Sequence, residues 1–214
     1  MWVAIADVAH YIEPETLLDE EAKARATSVY LPHAVLPMLP SRLSDNLCSL
    51  RAKVPRLAMT VSMEIENDCT IGNVAAFESI IEVQENLSYE DALDNPKFQN
   101  MMDLAEELRR NEIRLNLNSA ELRPRVHEDE ITVNVKWPNK ATEMIETFMV
   151  ATNNSIGILL GEKNAPLPWR CHAPPDAPEV EELNAKFKNM GINIELPMPS
   201  VKKFGPVSYT HLRA

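Results

Sequence analysis

Asp7 and His10 are the first side chains in this sequence whose types and spacing could support metal or acid–base chemistry. A carboxylate and an imidazole close together in sequence can coordinate an ion or transfer a proton. Asp7, however, ends a short apolar and β-branched run, where a carboxylate more often caps the following turn. A lone histidine beside Tyr11 is likewise more often structural. We therefore favour a structural role for both residues.

Other patterns that could carry chemistry are equally unspecific. The acids at 19–21 are consecutive, so on a helix they cannot converge on one ion, and we interpret them as a solvated first turn. No serine or cysteine lies in a nucleophile-elbow pattern, and the five glycines form no phosphate-binding loop. Cys48, Cys69 and Cys171 lie far apart without a CxxC pair, which favours free thiols over zinc ligands or disulfides. The residues alone predict no enzyme class and no metal site.

The charge of the chain limits how it can bind nucleic acid. The 214 residues carry a formal charge of −11, and a polyanion is normally held by a basic surface. Any RNA contact must therefore be local. The densest basic stretch contains Arg42, Arg51, Lys53 and Arg56, and it is open to two interpretations, an RNA contact or a solvated loop.

The ends and the apolar runs of the sequence predict the cellular location. The N-terminus has no basic region that would precede a signal peptide, and the apolar run at 148–160 is interrupted by polar residues. We expect a cytoplasmic protein with no membrane association.

The periodicity of apolar residues predicts a mixed α/β fold in one domain. A buried strand opens the chain, a proline-rich stretch follows as a rigid extended connection, and two strands form a hairpin. In the clearest strand the odd-numbered positions are apolar, which predicts that they face the core. The strands are predicted at 2–8, 57–65, 71–83 and 131–135, the helices at 17–26, 89–93, 98–114, 141–160 and 178–190, and the extended connection at 31–40.

Two helices carry more detailed patterns. In the long helix at 141–160, the apolar spacing leaves Glu146 on the side opposite the predicted core. In the last helix, Asp176 and Glu179 have the spacing of a capping box, and Gly191 supplies a stop.

Several ordered blocks resemble the catalytic domain of the ribonuclease II and ribonuclease R family. The opening segment, Trp-Val-Ala-Ile-Ala-Asp-Val-Ala-His-Tyr-Ile at 2–12, resembles a signature of that family. Further blocks follow in the family's order, and the resemblance extends over about residues 2–204. These blocks are 18–22, 25–32, 36–40, 43–44, 47–50, Tyr89, 144–149, Asn153 and 170–175.

The resemblance implies a fold and an activity. The fold is an RNB-type domain, with a mixed, largely antiparallel sheet and packed helices, incomplete at both ends. The activity is that of a processive exoribonuclease, which hydrolyses single-stranded RNA from the 3′ end to nucleoside 5′-monophosphates with Mg²⁺. In the family, the aspartate cluster would lie before Met1 and the catalytic arginines after Ala214. We therefore expect no catalytic or metal-binding residue in this chain, and an inactive isolated chain.

The resemblance assigns RNA contacts to three residues. Tyr30 matches a tyrosine that stacks on a base near the 3′ end, and Tyr89 and Glu146 match positions that contact the terminal ribose. Two positions depart from the family pattern. Thr147 stands where many relatives carry a second acid, and no aromatic lies at 118–121, where some relatives clamp the bases.

We also predict how the chain is divided into domains, and its partners. We predict a partial RNB domain at 1–204, a non-native tail at 205–214, flanking OB-type RNA-binding domains in the full-length protein, and a monomer. One alternative is a non-catalytic RNA-binding RNB-like module, and a weaker one is an unrelated acidic scaffold.

Overall fold

The computed structural model describes residues 1–111, 120–127, 130–166 and 175–198. The chain divides into two compact units, Met1–Ile156 and Gly157–Ala214. The predicted tail, Cys171 and most of the block at 170–175 lie outside the described residues.

The described residues form seven strands and five α-helices, together with two 3-10 turns and one π-helical turn. The strands are β1 (Trp2–Ala6), β2 (Val29–Tyr30), β3 (Val35–Leu36), β4 (Pro55–Ile65), β5 (Ile71–Glu82), β6 (Glu121–His127) and β7 (Glu130–Lys136). The helices are α1 (Leu17–Arg25), α2 (Tyr89–Leu93), α3 (Gln99–Arg110), α4 (Lys140–Glu162) and α5 (Ala177–Asn189), with 3-10 turns at Ala9–Tyr11 and Pro96–Phe98 and a π-helical turn at Arg42–Leu47. No helix in these described ranges is long and apolar enough to cross a membrane.

The main sheet is antiparallel in the order β1-β4-β5, and two further two-stranded sheets pair β2 with β3 and β6 with β7. The predicted mixed α/β class and largely antiparallel sheet are confirmed. The predicted hairpin at 57–83 is also confirmed, as β4 and β5. The strand β6 and the short hairpin of β2 and β3 were not predicted.

The predicted inward face of β4 is wrong in part. Val61 and Met63 are buried as expected, but Met59 is 38% exposed, whereas Ala58 and Thr60 on the other face are buried. Both faces of β4 therefore carry buried residues, whereas alternation of apolar and polar residues predicts a single buried face. The buried Thr60 hydroxyl is satisfied by the Ser79 hydroxyl at 2.6 Å, as a buried polar group requires.

Helices α3 and α4 form the principal core of the first unit. Helical spacing brings apolar side chains of each helix onto one face, and these faces pack together. The buried members are Met102, Ala105, Leu108, Ala141, Met144 and Phe148. The helix predicted at 98–114 ends earlier, at Arg110, and Arg114 lies outside the described residues.

The second unit confirms the pattern predicted for the last helix. The Asp176 and Glu179 side chains form both bonds of the capping box at the start of α5. Gly191 follows the helix with φ of 72°, a left-handed conformation that glycine adopts without strain. Beyond it, the Asn184 side chain accepts from the backbone N–H of Leu196 at 2.8 Å and donates to its carbonyl at 3.0 Å. The extended segment after α5 is thereby tied back to the helix.

Candidate RNA-binding site

Tyr30 lies at the end of β2 with 76% of its surface exposed. Two bonds from neighbouring residues hold the short hairpin that carries it. The Ser28 hydroxyl accepts from the Met38 N–H at 2.9 Å, and the Arg25 guanidinium donates to the Pro37 carbonyl at 3.2 Å. An exposed aromatic ring on a hairpin of this kind can stack on a nucleic-acid base of any identity.

Tyr89 is the first residue of α2 and is 40% exposed. Ser88 and Asp91 form a capping box immediately around it, so the start of the helix is well defined. Hydrogen bonds from Ser88 hold the pKa of the Asp91 carboxyl below its ordinary value. The bond from the Ser88 side chain has the larger effect, and the bond from its backbone the smaller one. The cap thus fixes the backbone from which the Tyr89 ring projects.

Lys136 at the end of β7 contacts the same helix. Its Nζ atom lies 5.2 Å from the centroid of the Tyr89 ring and 3.3 Å from Oε1 of Glu90. The pKa of the Glu90 carboxyl is lowered, mainly by a hydrogen bond with its own backbone and secondarily by one with Lys136. This contact was not predicted, because nothing in the sequence pairs a lysine at a strand end with a tyrosine so far away along the chain.

Glu146 lies on α4 and is exposed, as its position opposite the predicted core required. Its two neighbours in sequence differ in exposure. Ile145 is 42% exposed, whereas Thr147 is fully buried and its hydroxyl donates to the Glu143 carbonyl at 2.8 Å. Thr147 therefore occupies a place where an ionised acid would have lost its hydration.

The three predicted RNA contacts lie on three separate elements. Tyr30 belongs to the sheet of β2 and β3, Tyr89 begins α2, where it contacts Lys136, and Glu146 lies on α4. The resemblance implies that the three residues share one pocket, and this stays a prediction.

Asp7 has the structural role that its position at a strand end favoured. Its Oδ1 accepts from the backbone N–H of His10 at 3.2 Å, capping the 3-10 turn. The His10 and Tyr11 rings meet edge to face, with centroids 5.2 Å apart. The strand predicted at 2–8 accordingly ends at Ala6, because the turn begins directly afterwards.

Cys48 and Cys69 are free thiols, each partly buried. Burial, and secondarily the negative charge of Asp7, raises the pKa of the Cys48 thiol. A raised pKa keeps the thiol protonated and unreactive at neutral pH.

Two cations of the basic stretch near the π-helical turn form hydrogen bonds within the protein. The Arg56 guanidinium donates to the carbonyls of Asn46 and Ser49, both at 3.2 Å. Lys53 donates to the Gln84 side chain at 2.9 Å. These bonds favour a structural role for Arg56 and Lys53 over an RNA contact.

The described ranges do not fit a magnesium site. Within them, no group of three or more His, Cys, Asp or Glu side chains is arranged to hold a metal ion. Catalytic Mg²⁺ needs converging carboxylates, and the described acids do not form such a group.

Together, the antiparallel sheet, the paired helices and the ordered sequence blocks define the class. The RNB domain family model matches residues 1–208, and the chain belongs to the RNB domain family. It is 31% identical to the ribonuclease R of Mycoplasmopsis pulmonis over 215 residues, which cover 91% of this chain and 29% of that protein. The chain thus spans about three tenths of the curated relatives it matches.

Solved structures give the same result. Mycoplasma genitalium RNase R in complex with ribose methylated single-stranded RNA superposes with a TM-score of 0.84 at 26% identity, covering 97% of this chain and 35% of that one. Yeast Ssd1, described as a pseudonuclease, shares the fold with a TM-score of 0.69 at 18% identity, over 90% of this chain and 25% of that one. The fold therefore occurs both in a ribonuclease and in a pseudonuclease.

Proposed function

We propose that the parent protein is a 3′ to 5′ exoribonuclease that degrades single-stranded RNA to nucleoside 5′-monophosphates, and that this chain holds the RNA end. The observation that carries the proposal is the similarity to an RNase R bound to single-stranded RNA, over 97% of this chain. Tyr30 would stack on a base, and Tyr89 and Glu146 would contact the terminal ribose. A carboxylate that accepts from a 2′-hydroxyl gives a direct preference for RNA over DNA.

The hydrolytic step needs groups that the described residues do not supply. We propose that the parent uses Mg²⁺ held by an aspartate cluster before Met1, with arginines after Ala214. The flanking OB-type domains, a monomeric state, a cytoplasmic location and a non-native tail at 205–214 also stay predictions.

One experiment distinguishes RNA binding from RNA hydrolysis. The 214-residue chain is mixed with a single-stranded RNA labelled at its 5′ end, and binding is followed by fluorescence anisotropy without metal. Cleavage is then followed on a gel with Mg²⁺. We expect binding without shortening. Stepwise shortening would contradict the absence of a metal site, and a lack of RNA binding would contradict the holding role.

The second candidate is a non-catalytic RNA-binding module, which is considered because yeast Ssd1, described as a pseudonuclease, shares this fold. The sequence upstream of Trp2 in the parent gene distinguishes the two. Four aspartates in the family's spacing support the enzyme, and their absence supports the binding module.

A further inference from the structure

Lys136 connects two parts of the first unit that the sequence keeps far apart. It is the last residue of β7, paired with Glu121 of β6 in the antiparallel ladder. From there its Nζ atom reaches α2, 5.2 Å from the Tyr89 ring centroid and 3.3 Å from Glu90 Oε1. The Lys136 side chain is 28% exposed, so most of its surface is covered by the protein.

The contact constrains the Tyr89 ring. A cation within about 6 Å of a ring centroid is attracted to the ring face, so the Lys136 ammonium covers one face of Tyr89. The residue nevertheless keeps 40% of its surface exposed. A ligand can therefore approach Tyr89 only from the side that Lys136 leaves open.

Lys136 also changes the local charge. Glu90 and Asp91 follow Tyr89 directly, and the pKa of each carboxyl is lowered, so both are ionised at neutral pH. Two carboxylates beside Tyr89 repel a phosphate chain, and the chain as a whole already carries a formal charge of −11. The ammonium of Lys136 offsets one of these charges where RNA would approach.

We propose that Lys136 is a positioning residue for the RNA 3′ end: its ammonium fixes the orientation of the Tyr89 ring towards the terminal ribose and offsets the charge of Glu90. This inference rests on the proposed function, since it specifies how the same site holds a ribose. Lys136 acts through Tyr89 and Glu90, so its removal should weaken discrimination between ribose and deoxyribose as well as affinity.

The test measures binding of the full 214-residue chain to two single-stranded RNA oligonucleotides, without metal. One ends in a ribonucleotide, and the other has a 2′-deoxynucleotide at its 3′ end only. Lys136→Met removes the charge and keeps the length of the side chain, and Lys136→Arg restores a cation. The matched control is Lys140→Met, because Lys140 is 61% exposed and pairs with Glu106 at 3.5 Å instead of contacting Tyr89.

We expect Lys136→Met to weaken binding of the ribose-ended RNA by up to about fivefold, because the strength of the cation–π contact with Tyr89 limits what positioning can contribute. Its affinity should also come closer to that of the deoxy-ended RNA. Lys136→Arg should restore the preference, and Lys140→Met should keep it. An unchanged preference in Lys136→Met overturns the inference while leaving the proposed function intact. If the wild-type chain binds neither RNA, the proposed function itself is contradicted.

A double-mutant cycle keeps the test independent of a general effect on folding. In a Tyr89→Leu background the ring is gone, so Lys136→Met should remove little further ribose preference. Additive losses of that preference would contradict positioning through Tyr89. Circular dichroism melts of each variant identify any that fail to fold, and for these Lys136→Gln replaces Lys136→Met.

Discussion

Arg109 of α3 and Glu143 of α4 form an ion pair across the helix interface, with 3.4 Å between Nη1 and Oε2. The Arg109 side chain is only 18% exposed, and its Nη1 atom is buried without a hydrogen bond of good geometry among the described residues. The charge of Glu143 is therefore the principal compensation for a largely desolvated guanidinium.

Replacing Arg109 by Met should lower the free energy of unfolding by about 1–2 kcal/mol, between the values for exposed and buried ion pairs. Urea denaturation measures the change. Arg110→Met is the control, because Arg110 is 61% exposed and pairs with acids of its own helix, so it should cost less than about 0.5 kcal/mol. Equal losses in the two variants would mean that the interhelix pair adds nothing.

Local patterns in the sequence predicted most of the helices. The last helix begins and ends as expected, at the capping box of Asp176 and Glu179 and before Gly191. Such caps and stops can be predicted because they depend on residues a few positions apart. The faces of β4 were harder to predict. Met59 is exposed and Ala58 is buried, and these exposures depend on which parts of the chain pack over each face of the sheet, which periodicity does not contain.

The candidate site was less predictable than the fold. Tyr30, Tyr89 and Glu146 were identified by family resemblance, since an exposed tyrosine or glutamate has no distinctive spacing. The contact between Lys136 and Tyr89 depends on how β7 meets α2, so only the folded structure contains it.

Thr147 provides a second stability test. It is fully buried, and its hydroxyl donates to a carbonyl of its own helix at 2.8 Å. Thr147→Val should change the free energy of unfolding by less than about 1 kcal/mol, because no buried group loses its only partner. Thr147→Glu should cost about 3 kcal/mol or more, since it buries a carboxyl. Full stability of Thr147→Glu in urea denaturation would show that this position can reach solvent.

Acid should weaken the cap that precedes Tyr89. The pKa of Asp91 is lowered in the folded chain, chiefly by the Ser88 side chain. A carboxyl whose folded pKa is depressed contributes stability above its unfolded pKa and loses it as the pH falls through the folded pKa. The cap should therefore be intact at neutral pH and weaken below about pH 4. An NMR titration of the Asp91 carboxyl carbon measures its pKa.

Ser88→Ala is the control for that titration, because it removes the largest cause of the shift. The pKa of Asp91 should then return towards its ordinary value. An identical titration curve in the variant would contradict the role of the cap.

Glu146 should affect the choice between RNA and DNA. Glu146→Gln keeps the shape of the side chain but weakens its hydrogen bond to a 2′-hydroxyl, so the preference for a ribose-ended strand should fall about tenfold. Competition binding with ribose-ended and deoxy-ended strands measures it. Glu162→Gln, at the exposed end of the same helix, should leave the preference unchanged. Equal effects of the two changes would indicate a general influence of charge.

Tyr30 should contribute to affinity through its ring and not its hydroxyl. Base stacking on an aromatic side chain is worth about 1–3 kcal/mol, so Tyr30→Leu should weaken RNA binding by about tenfold, and Tyr30→Phe should bind almost normally. RNAs with a single abasic site at successive positions from the 3′ end locate the stacked base. The wild-type chain should lose affinity at one position, where Tyr30→Leu should lose none. If the two proteins respond alike at every position, the exposed ring of Tyr30 is not a stacking surface.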